Sequence, residues 1–464
     1  MGFLEWFEPI YRLLPEVKSP EVKPTLKKRL MWTALALVIF YIMGNIQVIG
    51  ITASSAGQLE QLQVILASEI GTLITVGIGP IVLASIILQL LIGGGLIDAD
   101  LTDPKTKARF TSMQKLMAIV LCFFESAIYV LSGFIAPDPG MLLFVVLQIS
   151  LGAILLIYLD EVVSKYGIGS GIGLFIAANV AGSVFWRVFA PPIALQGQLA
   201  GGILSQFIDS VASGSINLII LLPLLFTLIV FVVVTFAEGM HVNIPLTMGP
   251  RGVGGRFPVK FLYVSNIPVI LAAALFANLR LWAEFTKTVP VLGYVLNGVA
   301  TIVVAPYGLI EKMLLQGVSF DVFGQMLDSI LKLQIIGLGG EIIHAILYII
   351  ILTVLCVVFG KFWVDMGGQG TEAVSNQLQK AGMSIPGFRK DPRIIRKVLE
   401  RYIPPVTVLG SIFVGLLAGF ADLTGALGSG TGILLTVGIV YRLYEDLAKE
   451  QVAEMYPMLG RFFT

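Results

Sequence analysis

The stretch GTLITVGIGPIVLASIILQLLIG, residues 71–93, decides the fold. It is long and apolar enough to cross a membrane and carries no charge, yet Gly77, Gly79 and Pro80 stand inside it. Both residue types disfavour a helix interior, glycine through backbone entropy and proline through its missing N–H. The rest of the chain shares the apolar character. Hydrophobic residues are 56% of the 464 and charged residues 13%, about half the share usual in a soluble domain. Mean hydropathy is +0.92. So little polar surface cannot cover a water-soluble protein, and the chain reads as an integral membrane protein with many spans. Cys122 and Cys356 both lie in apolar runs and read as small buried hydrophobes, with no disulfide framework and no metal site. The N-terminus lacks a basic-then-apolar signal with a cleavage site, and MGFLEWFEPIYRLLPEV reads as a short helix on the membrane surface.

Apolar runs of about 20 residues mark the spans. Ten are expected, near 31–50, 72–94, 114–136, 141–160, 170–190, 216–236, 262–283, 341–360, 403–422 and 429–446. The segment VLGYVLNGVATIVVAPYGLI (291–310) is also apolar but holds Asn297, Pro306 and several β-branched residues, and is expected to be strand-rich or interfacial. Charge decides its side. With ten spans and a cytoplasmic N-terminus, cytoplasmic segments collect 25 of the 30 Lys and Arg residues, eight of them between Lys361 and Arg401. An eleventh span at 291–310 would turn that loop outward. Residues 284–340 are therefore expected to form an external subdomain, with both termini cytoplasmic.

The expected organisation is a cytoplasmic segment 1–30, a first half 31–190, an external connection 191–215, a second half 216–446 and a tail 447–464. Cytoplasmic loops are expected at 237–261 and 361–402. Five spans is an odd number, so the halves would be inverted repeats. The second span of each half then corresponds, and each carries a breaker, Pro80 in GIGPIV and Pro268 in SNIPVIL. Such paired interruptions point to a central pathway, where the helices bend or start late. Ile78 and Val82 share one helix face, as do Ile172 and Ile176 in GSGIGLFIAANV. These four make either ordinary interhelical packing or an apolar girdle that blocks water by dewetting.

SEIGTLITVGIGPIVLASIILQLLIGGGLI and YGIGSGIGLFIAANV resemble the second and fifth helices of the SecY family, the central channel subunits of protein-conducting translocons. PGFRKDPRIIRKVLERYIPPVTVLGSIFVGLLAGFADLTGALGSGTGILL resembles that family's large cytoplasmic loop and last two helices. The likeness covers essentially the whole chain, and the bulky segment between spans seven and eight is closer to the archaeal and eukaryotic branch. It implies an all-α polytopic membrane protein, ten helices in two pseudo-symmetric inverted halves of five, that passes secretory polypeptides and releases transmembrane segments into lipid. The implied pore ring is Ile78, Val82, Ile172, Ile176, Ile270 in NIPVI and Leu435 in GTGILL, with Leu434 adjacent. A plug helix is implied at 54–71, with Leu62, Ile65 and Leu66 at helical spacing. A lateral gate between spans two and three and spans seven and eight would place Glu125 and Asn278 at gate positions. Arg251, Arg256 and Arg389 are the implied docking residues for a translating ribosome. Implied partners are a SecE-type and a Secβ-type subunit, the ribosome, signal peptides, nascent chains and lipid, in the cell membrane.

No cofactor and no enzyme activity are expected. There is no G-x-x-x-x-G-K-[ST] motif, and GIGSGIG lacks the last glycine of a dinucleotide fingerprint. Glu341 and His344 form a single E-x-x-H, without the second copy a bundle metal site needs. The competing reading is a secondary transporter, whose solute site would draw on Gln89, Glu125, Gln148, Asn179 and Asn278.

Overall fold

The computed structural model describes the chain except for residues 1–7, 12–13, 23, 55–62, 64–65, 94–95, 98–103, 192, 196–197, 215–216, 249–252, 287–288, 317–324, 326–328, 330–336, 381–382, 385–391 and 456–464. Helices fall on every expected span: α1 (Leu26–Asn45), α2 (Gly79–Gly93), α3 (Pro104–Leu131), α4 (Leu142–Tyr166), α5 (Gly171–Phe189), α6 (Leu222–Gly239), α7 (Ile267–Phe285), α8 (Gly337–Met366), α9 (Pro392–Leu423) and α10 (Gly430–Met455). Among the described residues, seven of these are long and apolar enough by themselves to cross a membrane. The other three, α1, α2 and α10, are shorter or more polar. The segment at 291–310 is not strand-rich: it forms the helix Pro290–Val303, whose proline sits at a start position that needs no donor.

Contacts repeat in the two halves. In the first, α3 packs on α2 and α4, and α1 on α4; in the second, α8 packs on α7 and α9, and α6 on α9. The halves meet along two seams, α2 with α7 on one side and α5 with α10 on the other. Both seams pair helices at equivalent places in the repeat, as inverted halves require. One continuous apolar core runs through both halves, from Phe40 and Ile149 to Leu352 and Val437.

Span two differs from its expected extent. A helix was expected from residue 72, but α2 starts at Gly79. Residues 67–78 run as turns because their backbone groups bond elsewhere: Val48 N donates to Gly71 O at 2.9 Å and Leu73 N to Ile46 O at 3.1 Å. The plug segment is likewise not helical at its expected start, since Ile51–Ser54 is a strand paired antiparallel with Ile135–Pro137.

One end of the bundle carries most of the ordered basic loops. There the hairpin β1 (His241–Met248) and β2 (Val253–Lys260) is joined by the short strand β3 (Met383–Ser384). It rests on α9 and helix Thr371–Lys380 through Ile244, Val259, Leu378 and Leu399. Tyr263, just beyond the hairpin, donates to Gln369 O at 2.8 Å. Burial pushes its hydroxyl up to about 12, so it stays protonated across ordinary pH.

The same end binds the chain's own N-terminal segment. Lys115 Nζ donates to Pro15 O at 2.6 Å, Tyr166 Oη to Lys18 O at 2.8 Å, and Lys165 Nζ to Val17 O. Glu161 organises the clamp, accepting from Lys115 at 2.7 Å, Lys165 at 2.8 Å and Val17 N at 3.2 Å. Removing it leaves two part-buried lysines without a counter-charge and Val17 N without its acceptor. Glu161→Ala is therefore expected to speed tryptic cleavage after Lys18 about tenfold, the ratio for ~1.4 kcal/mol of lost local stability. Mass spectrometry of timed digests checks this, and unchanged cleavage would refute the strap.

Candidate functional site

Where the halves meet, a cavity of about 490 Å³ opens toward the basic end of the bundle. Six helices line it: α3, through Phe110, Thr111 and Gln114, α8, through Trp363 and Met366, and the four seam helices. Ile81, Val82 and Ser85 come from α2, Ile172 and Gly173 from α5, Ile267 and Ile270 from α7, and Gly438 and Ile439 from α10. Its mouth carries Lys107, Arg442 and Asp446. Below the cavity the packing closes: Ile78, Val82, Ile176 and Leu435 are each no more than 4% exposed and belong to one core, against which Ile172 and Ile270 pack.

Helical periodicity identifies which side chains continue the cavity's axis. Ile78 immediately precedes α2, and its carbonyl accepts from Ile81 N at 3.1 Å and Val82 N at 3.2 Å, which sets it at the foot of their turn. Ile176 follows Ile172 by four and Gly173 by three. On α10, Leu435 lies three and four before the wall residues Gly438 and Ile439, whereas Ile433, Val437 and Val440 line a different groove. Leu435 thus has the better register with the funnel wall than Leu434, whose carbonyl accepts from Asn266 Nδ2 at 2.9 Å. All six expected ring residues thus belong to, or pack on, the one apolar core where the halves meet.

Each of the four seam helices starts close to its ring residues. Pro80 is the second residue of α2 and Pro268 the second of α7. A proline there breaks no helical bond, because the first N–H groups have no intrahelical partner. The two prolines thus mark late starts, not kinks. The end of the plug segment packs into the same core. Leu66 is 1% exposed, and its carbonyl accepts from Ile78 N at 2.9 Å. Gly77 makes this approach possible: it has φ +61°, and a Cβ there would stand 2.2 Å from Leu66 O. Asn179 of α5 holds the same segment through Gln63 O at 2.9 Å. Leu62 and Ile65 lie outside the described residues.

The gate helices are in contact: α7 touches both α2 and α3, and α8 touches α2. Glu125 on α3 is 1% exposed, and neither carboxylate oxygen has a partner among the described residues. Its Oε2 lies against Gly79, 2.8 Å from where a Cβ would be, beside Leu66. Asn278 is fully buried, its Nδ2 donating to Ala274 O at 2.9 Å while Oδ1 is unpartnered. Glu125 and Asn278, the residues expected at the gate, share no hydrogen bond. Of the docking residues, Arg256 falls on β2 opposite Pro245, and Arg251 and Arg389 lie outside the described residues.

Of the five candidate solute ligands, Gln148, Asn179 and Asn278 bond the protein's own backbone, Gln148 Nε2 donating to Ile49 O at 2.9 Å. Among the described residues Glu125 is unpartnered, and Gln89 lines the cavity with its Oε1 unpartnered. Cys122 and Cys356 are buried free thiols. Among the described residues no cluster of His, Cys, Asp or Glu could hold a metal. Sequence reasoning missed Asn266, which precedes α7 and grips α10 across 168 residues, a contact with no local signal.

Comparison with known proteins agrees with this geometry. The SecY family model matches residues 72–444, and the model for the plug domain of Sec61p matches residues 38–71. The chain belongs to the SecY family. It is 44% identical to the protein translocase subunit SecY of Methanocaldococcus jannaschii, over 98% of this chain and 99% of that one. Against the Pyrococcus furiosus subunit it is 38% identical over the full length of both. Among solved SecY-like structures, one described as a protein conducting channel superposes with a TM-score of 0.80 at 44% identity, covering 97% of this chain and 98% of that chain. Sec61 in the canine ribosome–channel complex gives 0.77 at 43% identity, with the same coverage.

Proposed function

We propose that this chain is the channel subunit of a protein translocase, held closed by the apolar ring and the plug segment. The observation that carries the reading is the funnel that narrows onto Ile78, Val82, Ile172, Ile176, Ile270 and Leu435 and is backed by Leu66. A water column through that ring must wet aliphatic side chains, which costs about 1.5–3 kcal/mol for each. The ring therefore blocks water and ions by dewetting, while offering a passing polypeptide no group to bind. Displacement of Leu66 frees Ile78, and parting of α2 and α3 from α7 and α8 opens a path to lipid for signal peptides and transmembrane segments. Lys and Arg bias puts the funnel mouth and both termini in the cytoplasm, in the cell membrane. The hairpin bearing Arg251 and Arg256, and the loop bearing Arg389, then meet the ribosome that pushes the chain. An apolar groove of about 1130 Å³ lies among α5, α6 and α10, across the seam between halves. A single helix of a SecE-type subunit fits that site and would clamp both halves; a Secβ-type subunit completes the complex.

Planar-bilayer recording of the chain with its SecE-type partner, before and after deletion of residues 57–67, tests the reading. The intact channel is expected to be nearly silent and the deletion to give large, flickering, poorly selective openings. Solute-selective small currents, or silence from both folded proteins, would overturn it.

A further inference from the structure

The seam helices α5 and α10 begin on the same sequence pattern, though Ser170 is extended (φ −105°) and Ser429 left-handed (φ +62°). Residues 169–173 read GSGIG and residues 428–432 read GSGTG. The first glycine of each is left-handed, Gly169 at φ +74° and Gly428 at φ +71°. The serine hydroxyls cap the helices, Ser170 accepting from Gly173 N at 3.4 Å and Ser429 from Gly432 N at 3.0 Å. A carboxylate from the preceding helix, part-buried for Asp160 and buried for Asp422, then completes each cap. Asp160 of α4 accepts from Ile172 N at 2.9 Å. Asp422 of α9 accepts from Thr431 N at 3.1 Å, Thr431 Oγ1 at 2.6 Å and Tyr348 Oη of α8 at 2.9 Å. The second glycines permit this. A Cβ on Gly171 would stand 2.6 Å from Asp160 Cα, and one on Gly430 2.1 Å from Ala421 C.

We infer that Asp160 and Asp422 are a symmetry-related pair of positioning residues that set the axial height of α5 and α10, and with it the registry of Ile172, Ile176 and Leu435 in the closed ring. The inference rests on the apolar-ring reading above. The start of α10 is buried, with Ser429 at 6% and Thr431 at 2% exposure, so no water satisfies its N–H groups and a fixed acceptor determines where the helix begins. The start of α5 borders the cavity, where Asp160 supplies the acceptor in place of water. One of the bonded amides belongs to Ile172, itself in the ring. Thr431 lies one turn before Leu435 on α10. Neither carboxylate lines the funnel, so neither touches a passing chain. Each ties a seam helix to its own half: α5 to α4, and α10 to α9 and α8. Since α5 and α10 meet across the halves, an error in height at either end shifts the ring directly.

The test is the resting ion leak of the complete complex in proteoliposomes. Asp160→Ala and Asp422→Ala are each expected to raise it at least about tenfold, in line with loss of one helix cap. Asp160→Asn and Asp422→Asn, which keep an acceptor for the amide, are expected to stay within about twofold of the parent. A merely structural role would lower thermal stability and yield without raising leak per folded channel, and that result overturns the inference. Ile78→Ser/Ile176→Ser serves as the reference for the ring. If it leaks and the alanine variants do not, the positioning role fails and the ring stands; if it is silent too, both fail. Should an alanine variant not assemble, hydrogen exchange on the parent complex decides. Ile172 and Thr431 amides exchanging as slowly as helix interiors support the pair, and exchange at loop rates overturns it.

Discussion

Replacing Ile78 and Ile176 together by serine is expected to raise the resting ion conductance about a hundredfold. Both side chains are essentially inaccessible, at 1% and 0% exposure, and belong to the same apolar core. Hydrating two such side chains costs about 3 kcal/mol or more in the parent, and that cost keeps the passage dry. Serine removes most of it and supplies hydroxyls that hold water, so the wet state gains about two orders of magnitude in population. Single-channel recording separates more frequent opening from larger opening. A double variant as silent as the parent would mean that the plug segment alone makes the seal.

Gly152→Val is expected to be the most disruptive single substitution, lowering stability by more than about 3 kcal/mol. A Cβ at Gly152 of α4 would stand 1.9 Å from Leu73 O and 2.8 Å from Leu73 C, both backbone atoms. That strand of turns cannot retreat easily, because its neighbours bond Ile46 and Val48 of the segment after α1. Either α4 or the segment leading into Ile78 must move. The measurement is the monodisperse fraction and melting temperature of the purified complex. Gly298→Ala is the comparison, since nothing lies within 4 Å of that position and it sits within helix Pro290–Val303. It is expected to be neutral or slightly stabilising, by about 0.5–1 kcal/mol. Equal behaviour of the two variants would refute the close approach of α4 to residues 71–78.

Much of this architecture was legible in the chain because it depends on local pattern. Apolar runs located every long helix, since in lipid each span must satisfy its own backbone and only a long apolar helix does so. The proline pair, Pro80 and Pro268, pointed to interruption at equivalent places. The spacing of Ile78 with Val82 and of Ile172 with Ile176 announced shared faces. None of these signals distinguished a late start from a bend at Pro80, or a girdle from ordinary packing.

Those choices belong to contacts between distant segments. Residues 71–78 are as apolar as any span, yet they are turns, because Ile46, Val48 and Leu66 take the bonds a helix would have made internally. Nor does Asp160 announce itself, since a lone acid near a helix end ordinarily reads as a solvated charge; only folding carries it under Ile172. The sequence by itself determined the solvent, the apolar stretches and the basic asymmetry, all set by short-range composition and period. The tertiary structure alone decided where α2 begins, because hydrogen bonds with Ile46, Val48 and Leu66 move the start expected at residue 72 to Gly79. By contrast, α5 and α10 begin within one residue of the expected 170 and 429, and the fold adds only the Asp160 and Asp422 that anchor them.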